Sequence, residues 1–116
     1  MTAVARTSLA AEIARVAKLG NLTAAHLAKA TGGDPSSGRR WLRGTRASSG
    51  VHAVRALELT SLVERLAQVM QAAHIPIWLI KPTQRLDDRR PIDVIRDGDY
   101  RSVSRLVASL EGMPVS

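Results

Sequence analysis

The sequence contains no cysteine and no phenylalanine, and its aromatic residues are limited to Trp41, Trp78 and Tyr100. Without cysteine there can be no disulfide, no thiolate metal site and no cysteine nucleophile, which fits a reducing, cytoplasmic compartment. The scarcity of aromatics leaves a core built mainly from Leu, Val, Ile and Ala. Long hydrophobic runs are also missing. The longest stretch without a formal charge, Leu66 to Ile80, is 15 residues and includes two Gln and a His, too short and too polar to span a bilayer. Arg6, Glu12 and Arg15 interrupt the first twenty residues, so no signal-peptide core is read there. The expectation is a soluble protein with no membrane association.

Convergent chemistry is lacking too. His26, His52 and His74 are far apart and belong to no His-x-x-x-His pair. There is no glycine-rich phosphate loop, and no serine sits in a nucleophile elbow. The acids of the C-terminal half fall where helix caps and helix N-termini favour negative charge. The reading is therefore a protein that is not an enzyme, with no catalytic residues, no metal site and no cofactor.

Positive charge is abundant but unevenly placed. The chain of 116 residues carries a net charge of +7. Residues 1 to 50 hold eight basic and two acidic side chains, a net +6, whereas residues 51 to 116 hold nine and eight, a net +1. Such asymmetry suggests a polyanion such as nucleic acid as partner for the first half and something else for the second. An arginine-rich, alanine-rich composition would give the same excess with no partner at all.

No strand-like alternation occurs, while helical spacing recurs, so an all-α fold of six or seven helices is expected. Leu9, Ile13, Val16 and Ala17 mark a first helix from about 8 to 19, capped by Thr7 or Ser8 and stopped at Gly20. Thr23 caps a short second helix that ends at Gly32 and Gly33, and Asp34 caps a third with Pro35 at its first position. "GTRASSG", Gly44 to Gly50, reads as a linker. Beyond it Val51, Val54, Leu59, Leu62, Val63, Leu66, Val69, Met70 and Ala73 predict one helix of about 24 residues, near 36 Å long, serving as internal spine or dimer seam. Pro76 and Pro82 bracket the apolar turn "IWLI". Pro91 opens a short helix closed by Asp97-Gly98, and Asp99 caps the last helix, which Gly112 ends. The organisation reads as residues 1–48, a helix-turn-helix-like bundle; 49–74, a long connecting or dimerising helix; and 75–116, a small C-terminal helical domain with a tail. A homodimer would relieve the thin core of so short a chain.

Leu22 to Gly44, "LTAAHLAKATGGDPSSGRRWLRG", has the layout of a helix-turn-helix. Trp41 and Leu42 would anchor its second helix, leaving Ser36, Ser37, Arg39, Arg40 and Arg43 facing outward, with Thr45 and Arg46 following the backbone of operator DNA. Arg and Ser on such a helix can reach phosphates and base edges in the major groove. Gly38 stands in the middle of that helix, costing about 1 kcal/mol relative to Ala, and reads as a departure from the motif. DNA binding and a purely structural helix pair both remain open.

The C-terminal half contains "RLDDRRPIDVIRDGDYR", with four Arg and five Asp between Arg85 and Tyr100. Ile92 and Ile95 point to a core, Pro91, Asp97, Gly98 and Asp99 punctuate helices, and Arg89 with Asp93, about one turn apart, form an expected internal pair. Lys81, Arg85, Arg90, Arg96, Tyr100 and Arg101 are then candidate contacts, since interface Arg and Tyr often dominate binding energy.

The longer stretch Trp78 to Met113, "WLIKPTQRLDDRRPIDVIRDGDYRSVSRLVASLEGM", resembles the toxin-binding domain of the Xre-MbcA-ParS antitoxin family. The matching positions are Trp78, Leu79, Pro82, Leu86, Arg89, Pro91, Ile92, Asp93, Ile95, Gly98, Val103, Leu106, Leu110 and Gly112, a spacing that holds over 35 residues without a gap. Asp88 replaces the usual Gly, and the helix-turn-helix-like half ahead of it agrees with the family's layout. The resemblance implies a bacterial type II antitoxin whose cognate partner is a RES-domain toxin that consumes NAD. It further implies that the C-terminal domain packs on the toxin while the terminal segment obstructs the NAD cleft. On this chain that element is Leu110, Glu111, Gly112, Met113, Pro114 and Val115, with Arg89 and Asp93 in the docking platform before it. The alternative reading is a stand-alone dimeric DNA-binding repressor; the two roles can coexist if the antitoxin represses its own operon.

Overall fold

The computed structural model describes residues 2–44 and 50–112, with side chains from Leu9 onward. Seven α-helices are found among them: α1 Thr2–Leu19, α2 Ala24–Thr31, α3 Pro35–Arg43, α4 Val51–Leu66, α5 Ile75–Ile80, α6 Pro91–Arg96 and α7 Tyr100–Leu110, with single 3-10 turns at Ala72–His74 and Gln84–Leu86. The fold is all-α, as the periodicity predicts; the one extended pairing among the described residues is an isolated bridge between Thr83 and Arg89.

The capping residues act as their chemistry requires. The Thr23 side chain accepts from the backbone N–H of His26, while His26 Nδ1 accepts from the Thr23 N–H at 2.9 Å. This reciprocal capping box satisfies donors that the first turn of α2 leaves unpaired. Asp34 Oδ1 accepts from the Ser37 N–H at 2.8 Å with Pro35 opening α3, and Asp99 Oδ1 accepts from the Ser102 N–H at 3.2 Å at the start of α7.

Two helix limits differ from expectation. The first helix begins at Thr2, because residues 2 to 8 contain no breaker and helix propagation costs little through alanine; Thr7 and Ser8 are inside it and do not cap it. The predicted 24-residue helix stops at Leu66 after 16 residues, about 24 Å. Its buried stripe is complete at Leu59, Leu62, Val63 and Leu66, while Val69 is exposed. The N–H groups of Val69 and Met70 both bond to the Leu66 carbonyl, so the chain turns and returns Ile75 and Leu79 to the core.

One hydrophobic core runs from Ile13 on α1 through Leu27, Trp41, Leu59, Leu62, Leu66 and Leu79 to Ile92, Ile95, Val103 and Val107. Burying each Leu or Ile of this set contributes about 1.5–3 kcal/mol. Leu86 is buried, whereas Trp78 is only partly covered and Ile77 and Ile80 beside it are exposed. Helix α6 packs against α2 as well as against α5 and α7. His52 on α4 donates from Nδ1 to the Thr31 carbonyl at 2.6 Å, and Arg55 Nε donates to the Arg96 carbonyl at 3.4 Å. Helix α4 thus caps the C-terminal ends of both α2 and α6, where carbonyls lack helical partners.

Gly38 is no defect. A Cβ built there would stand 2.0 Å from the carbonyl oxygen of Ala24 and 3.1 Å from the backbone nitrogen of Ala28. Only glycine lets α3 cross α2 at this distance, so the residue that reads as a departure from the motif is what holds the helix pair together.

Candidate functional site

Two surfaces carry the residues singled out by the sequence. On α3, Arg39, Arg40 and Arg43 are exposed and Ser36 is half-buried; their spacing of three and four places them on one face. Ser37 does not join them. It is buried at 7% exposure against the turn before α3, its N–H held by Asp34, because position 37 lies on the side of α3 that meets α2. Thr45 and Arg46 lie outside the described residues, as does most of the predicted linker. Trp41 is fully buried and Leu42 partly so, which fixes the arginine face outward.

The second surface is built by the loop from Lys81 to Arg90 and by α6 and α7. Its turn is closed by the N–H of Asp88 donating to the Thr83 carbonyl at 2.9 Å and that of Thr83 donating to the Arg89 carbonyl at 3.2 Å. Asp87 and Asp88 both take left-handed backbone conformations, with φ of 58° and 62°. Asp tolerates this region better than most residues, though glycine is favoured there. The Asp that replaces the family's Gly therefore keeps the turn.

The charge pairing differs from the expected one. Arg89 does not bind Asp93. It reaches past α6 to Asp97, which also accepts from Arg96 Nε at 3.3 Å. Arg90, standing at the N-cap one turn before Asp93, takes that carboxylate at 2.8 Å, with Arg96 Nη1 at 3.7 Å on the other side. Hydrogen bonding from Arg89, supplemented by Arg96, holds the Asp97 carboxyl below its ordinary range. Asp99 is lowered chiefly by the Ser102 hydroxyl.

Tyr100 is half-buried with its hydroxyl 3.2 Å from Ser61 Oγ. Arg90, Arg96 and Tyr100 are thus engaged within the chain, contrary to the reading that leaves them free for a partner. In the C-terminal half, Lys81, Arg85, Arg101 and Arg105 are exposed and have no carboxylate within ion-pair distance among the described residues. Arg105 is absent from the sequence-level candidates; its spacing of four from Arg101 on a capped helix is the signal that could have found it.

At the end of α7, Glu111 is gripped by Arg65 of α4 at 2.8 and 3.2 Å, and the same guanidinium donates to the hydroxyl and carbonyl of Ser104. The bond from Arg65 keeps the Glu111 carboxyl low, and Glu111 raises Arg65. Gly112 follows in a left-handed conformation, φ 73°, with open space where a Cβ would stand, a common helix terminator. Met113, Pro114 and Val115 lie outside the described residues. No group of His, Asp and Glu among the described residues is placed to hold a metal ion, and no described helix is long and apolar enough to cross a membrane.

Comparison with known proteins identifies the family of the chain. The mycobacterial cidal antitoxin MbcA of Mycobacterium tuberculosis, and that of Mycobacterium bovis, is 32% identical to this chain over 80 residues, covering 68% of the chain and 71% of the relative. The chain belongs to the MbcA family of antitoxins. The resemblance carried by Trp78 to Met113 is thereby borne out, and membership places the chain among the regulators of toxin–antitoxin systems. Its fold agrees: a chain in the crystal structure of the M. tuberculosis MbcT–MbcA toxin–antitoxin complex superposes with a TM-score of 0.78 at 29% identity, over 92% of this chain and 97% of that one. No family model matches the sequence. In this MbcA-family antitoxin the family signature is spread over core positions, loop closure and paired charges, so most of it builds the platform rather than facing outward.

Proposed function

We propose that this chain binds and neutralises a cognate RES-domain toxin that consumes NAD, using the surface of α6, α7 and the loop before them, and that its C-terminal segment enters the toxin's NAD cleft. The observation that supports this most strongly is the likeness over nine-tenths of the chain to a structure from a toxin–antitoxin complex. Lys81, Arg85 and Arg101 are the direct contacts in this reading. Arg89, Arg90, Asp93 and Arg96 rigidify the platform through their pairs, and Tyr100 braces it against α4. Glu111 and Gly112 set the departure of the tail, whose Met113 and Pro114 act as the plug. A flexible thioether side chain adapts well to such a cleft.

Co-expression with the product of the adjacent gene tests the reading. The toxin alone arrests growth and the pair restores it, and the two proteins co-purify. Ending the chain at Glu111 retains co-purification while NAD consumption resumes. A truncated chain that still inhibits fully removes the plug from the scheme.

Repression of its own operon is a second activity, supported by the outward face formed by Arg39, Arg40 and Arg43. As a homodimer neutralising six or more phosphates it would lose roughly a thousandfold in DNA affinity between 50 and 200 mM salt. A flat salt response rejects operator binding and leaves toxin neutralisation standing.

A further inference from the structure

One recess on the platform is lined by two arginines that the ion pairs among the described residues leave out. Arg85, from the 3-10 turn before α6, and Ser102, Arg105, Leu106 and Ser109, from one face of α7, line a cleft of about 240 Å³. The spacing 102, 105, 106, 109 keeps these four on one side of the helix. Arg85 Nη1 donates to Ser109 Oγ at 3.0 Å, which orients the guanidinium. Both hydroxyl protons are spent inside the chain: Ser109 Oγ donates to the Leu106 carbonyl at 2.6 Å and Ser102 Oγ to Asp99 Oδ2 at 2.6 Å. The N–H donors directed to a ligand therefore come from the two arginines.

Two guanidiniums lining one recess repel each other, and no carboxylate among the described residues stands within ion-pair distance of either. Arg89, Arg90 and Arg96 each have such a partner, and Arg101, which also lacks one, does not line this recess. An anion from outside would relieve the repulsion, and the planar forks suit an oxyanion with two oxygens. The adjoining recess, lined by Arg85, Arg89, Asp87 and Asp99 among others, puts two carboxylates at the edge. They oppose a doubly charged phosphate more than a singly charged carboxylate. Leu106 offers an apolar wall for the methylenes that carry an Asp or Glu carboxylate.

We infer that the Arg85–Arg105 cleft is a receptor for an acidic side chain of the toxin, seated between the two guanidiniums. This rests on the toxin-binding reading above and names the chemistry of one contact in it. Ser102 and Ser109 act as positioning residues, and Arg105 supplies the second arm of the clamp.

The test uses the full chain and measures its affinity for the cognate toxin. Arg85 and Arg105 are exposed, so their variants should melt with the wild-type chain. Arg105→Ala should weaken binding about tenfold, and Arg105→Glu about a hundredfold, as expected for a charge pair at an interface. Arg105→Lys should recover only part of the loss, because an ammonium cannot present the fork. An Asp or Glu to Arg change on the toxin surface should restore binding to Arg105→Glu and identify the partner carboxylate. If the wild-type chain fails to bind the toxin, the function proposed above falls and this inference with it. If the wild type binds and the double variant Arg85→Ala, Arg105→Ala stays within about twofold of it, this inference alone is overturned. Unchanged toxin binding with weakened DNA binding assigns the cleft to a phosphate and likewise overturns it.

Discussion

Arg65 of α4 holds Glu111, the residue that closes α7, through hydrogen bonds of 2.8 and 3.2 Å. Two further donors go to Ser104, so one guanidinium ties the exit point of the C-terminal segment to α4 and α7 together. If that segment blocks the toxin, Arg65 fixes where the block begins. Arg65→Ala should lower inhibitory potency about tenfold while affinity for the toxin falls much less, as expected when a rim contact is spared. Parallel measurements of NAD consumption and of binding separate the two; equal losses in both would show that Arg65 acts only through the general fold.

His26 gives the fold a pH dependence of known sign. Burial, helped by Lys29, lowers its pKa from the ordinary 6.5, and the neutral ring is needed for Nδ1 to accept from the Thr23 N–H. The stabilisation is complete above 6.5 and is lost as pH falls through the lower folded-state value. The melting temperature should therefore drop between about pH 7 and pH 5. His26→Gln keeps a capping-box acceptor at the same position and should flatten that part of the profile; an unchanged slope would move its origin to another group.

Gly38→Ala is expected to destabilise the chain despite improving helix propensity. The gain of about 1 kcal/mol in propensity is outweighed by a Cβ placed 2.0 Å from the Ala24 carbonyl oxygen. Backbone must move to relieve that contact, at a cost of about 3 kcal/mol. Urea denaturation should show the midpoint falling, and a rise would mean that α2 and α3 can separate freely.

Asp88→Gly should do the reverse. The Asp88 φ of 62° is strained for a residue with a Cβ, and relieving it stabilises by about 0.5–1 kcal/mol after the greater chain entropy of glycine is subtracted. Thermal melting reads the gain. Loss of stability instead would show that the exposed carboxylate contributes to the turn.

Much of this molecule can be read from its punctuation. Thr23, Asp34 with Pro35, Asp99, Gly32 and Gly112 act locally through backbone donors and left-handed turns, so their roles follow from residue type alone. The stop of α4 at Leu66 does not. Its apolar pattern continues to Ala73, and only the need to return Ile75 and Leu79 to a shared core breaks the helix. The choice of Asp97 over Asp93 by Arg89 has the same character. Only Asp93 stands at helical spacing from Arg89, whereas Asp97 is eight residues on; Arg89 lies outside α6, in the loop shaped by Asp87 and Asp88. Gly38 is the sharpest case, since its value depends on the backbone of a different helix. On the platform, the sequence identifies the charged residues but not which ones are already spoken for; Arg90 and Arg96 prove occupied, while Arg105 has no acid within ion-pair distance among the described residues.

The packing of α6 on α2 also bears on how such antitoxins can diverge. A cell with several related pairs must keep each antitoxin from silencing the wrong toxin, and exchanging C-terminal halves between relatives would be the quickest route to new pairings. Here that exchange would cut through side chains that meet across α2, α4 and α6. If the surface of α7 and its neighbouring loop meets the toxin as proposed, new specificity is more accessible through its exposed residues, changed one at a time over an inherited interior.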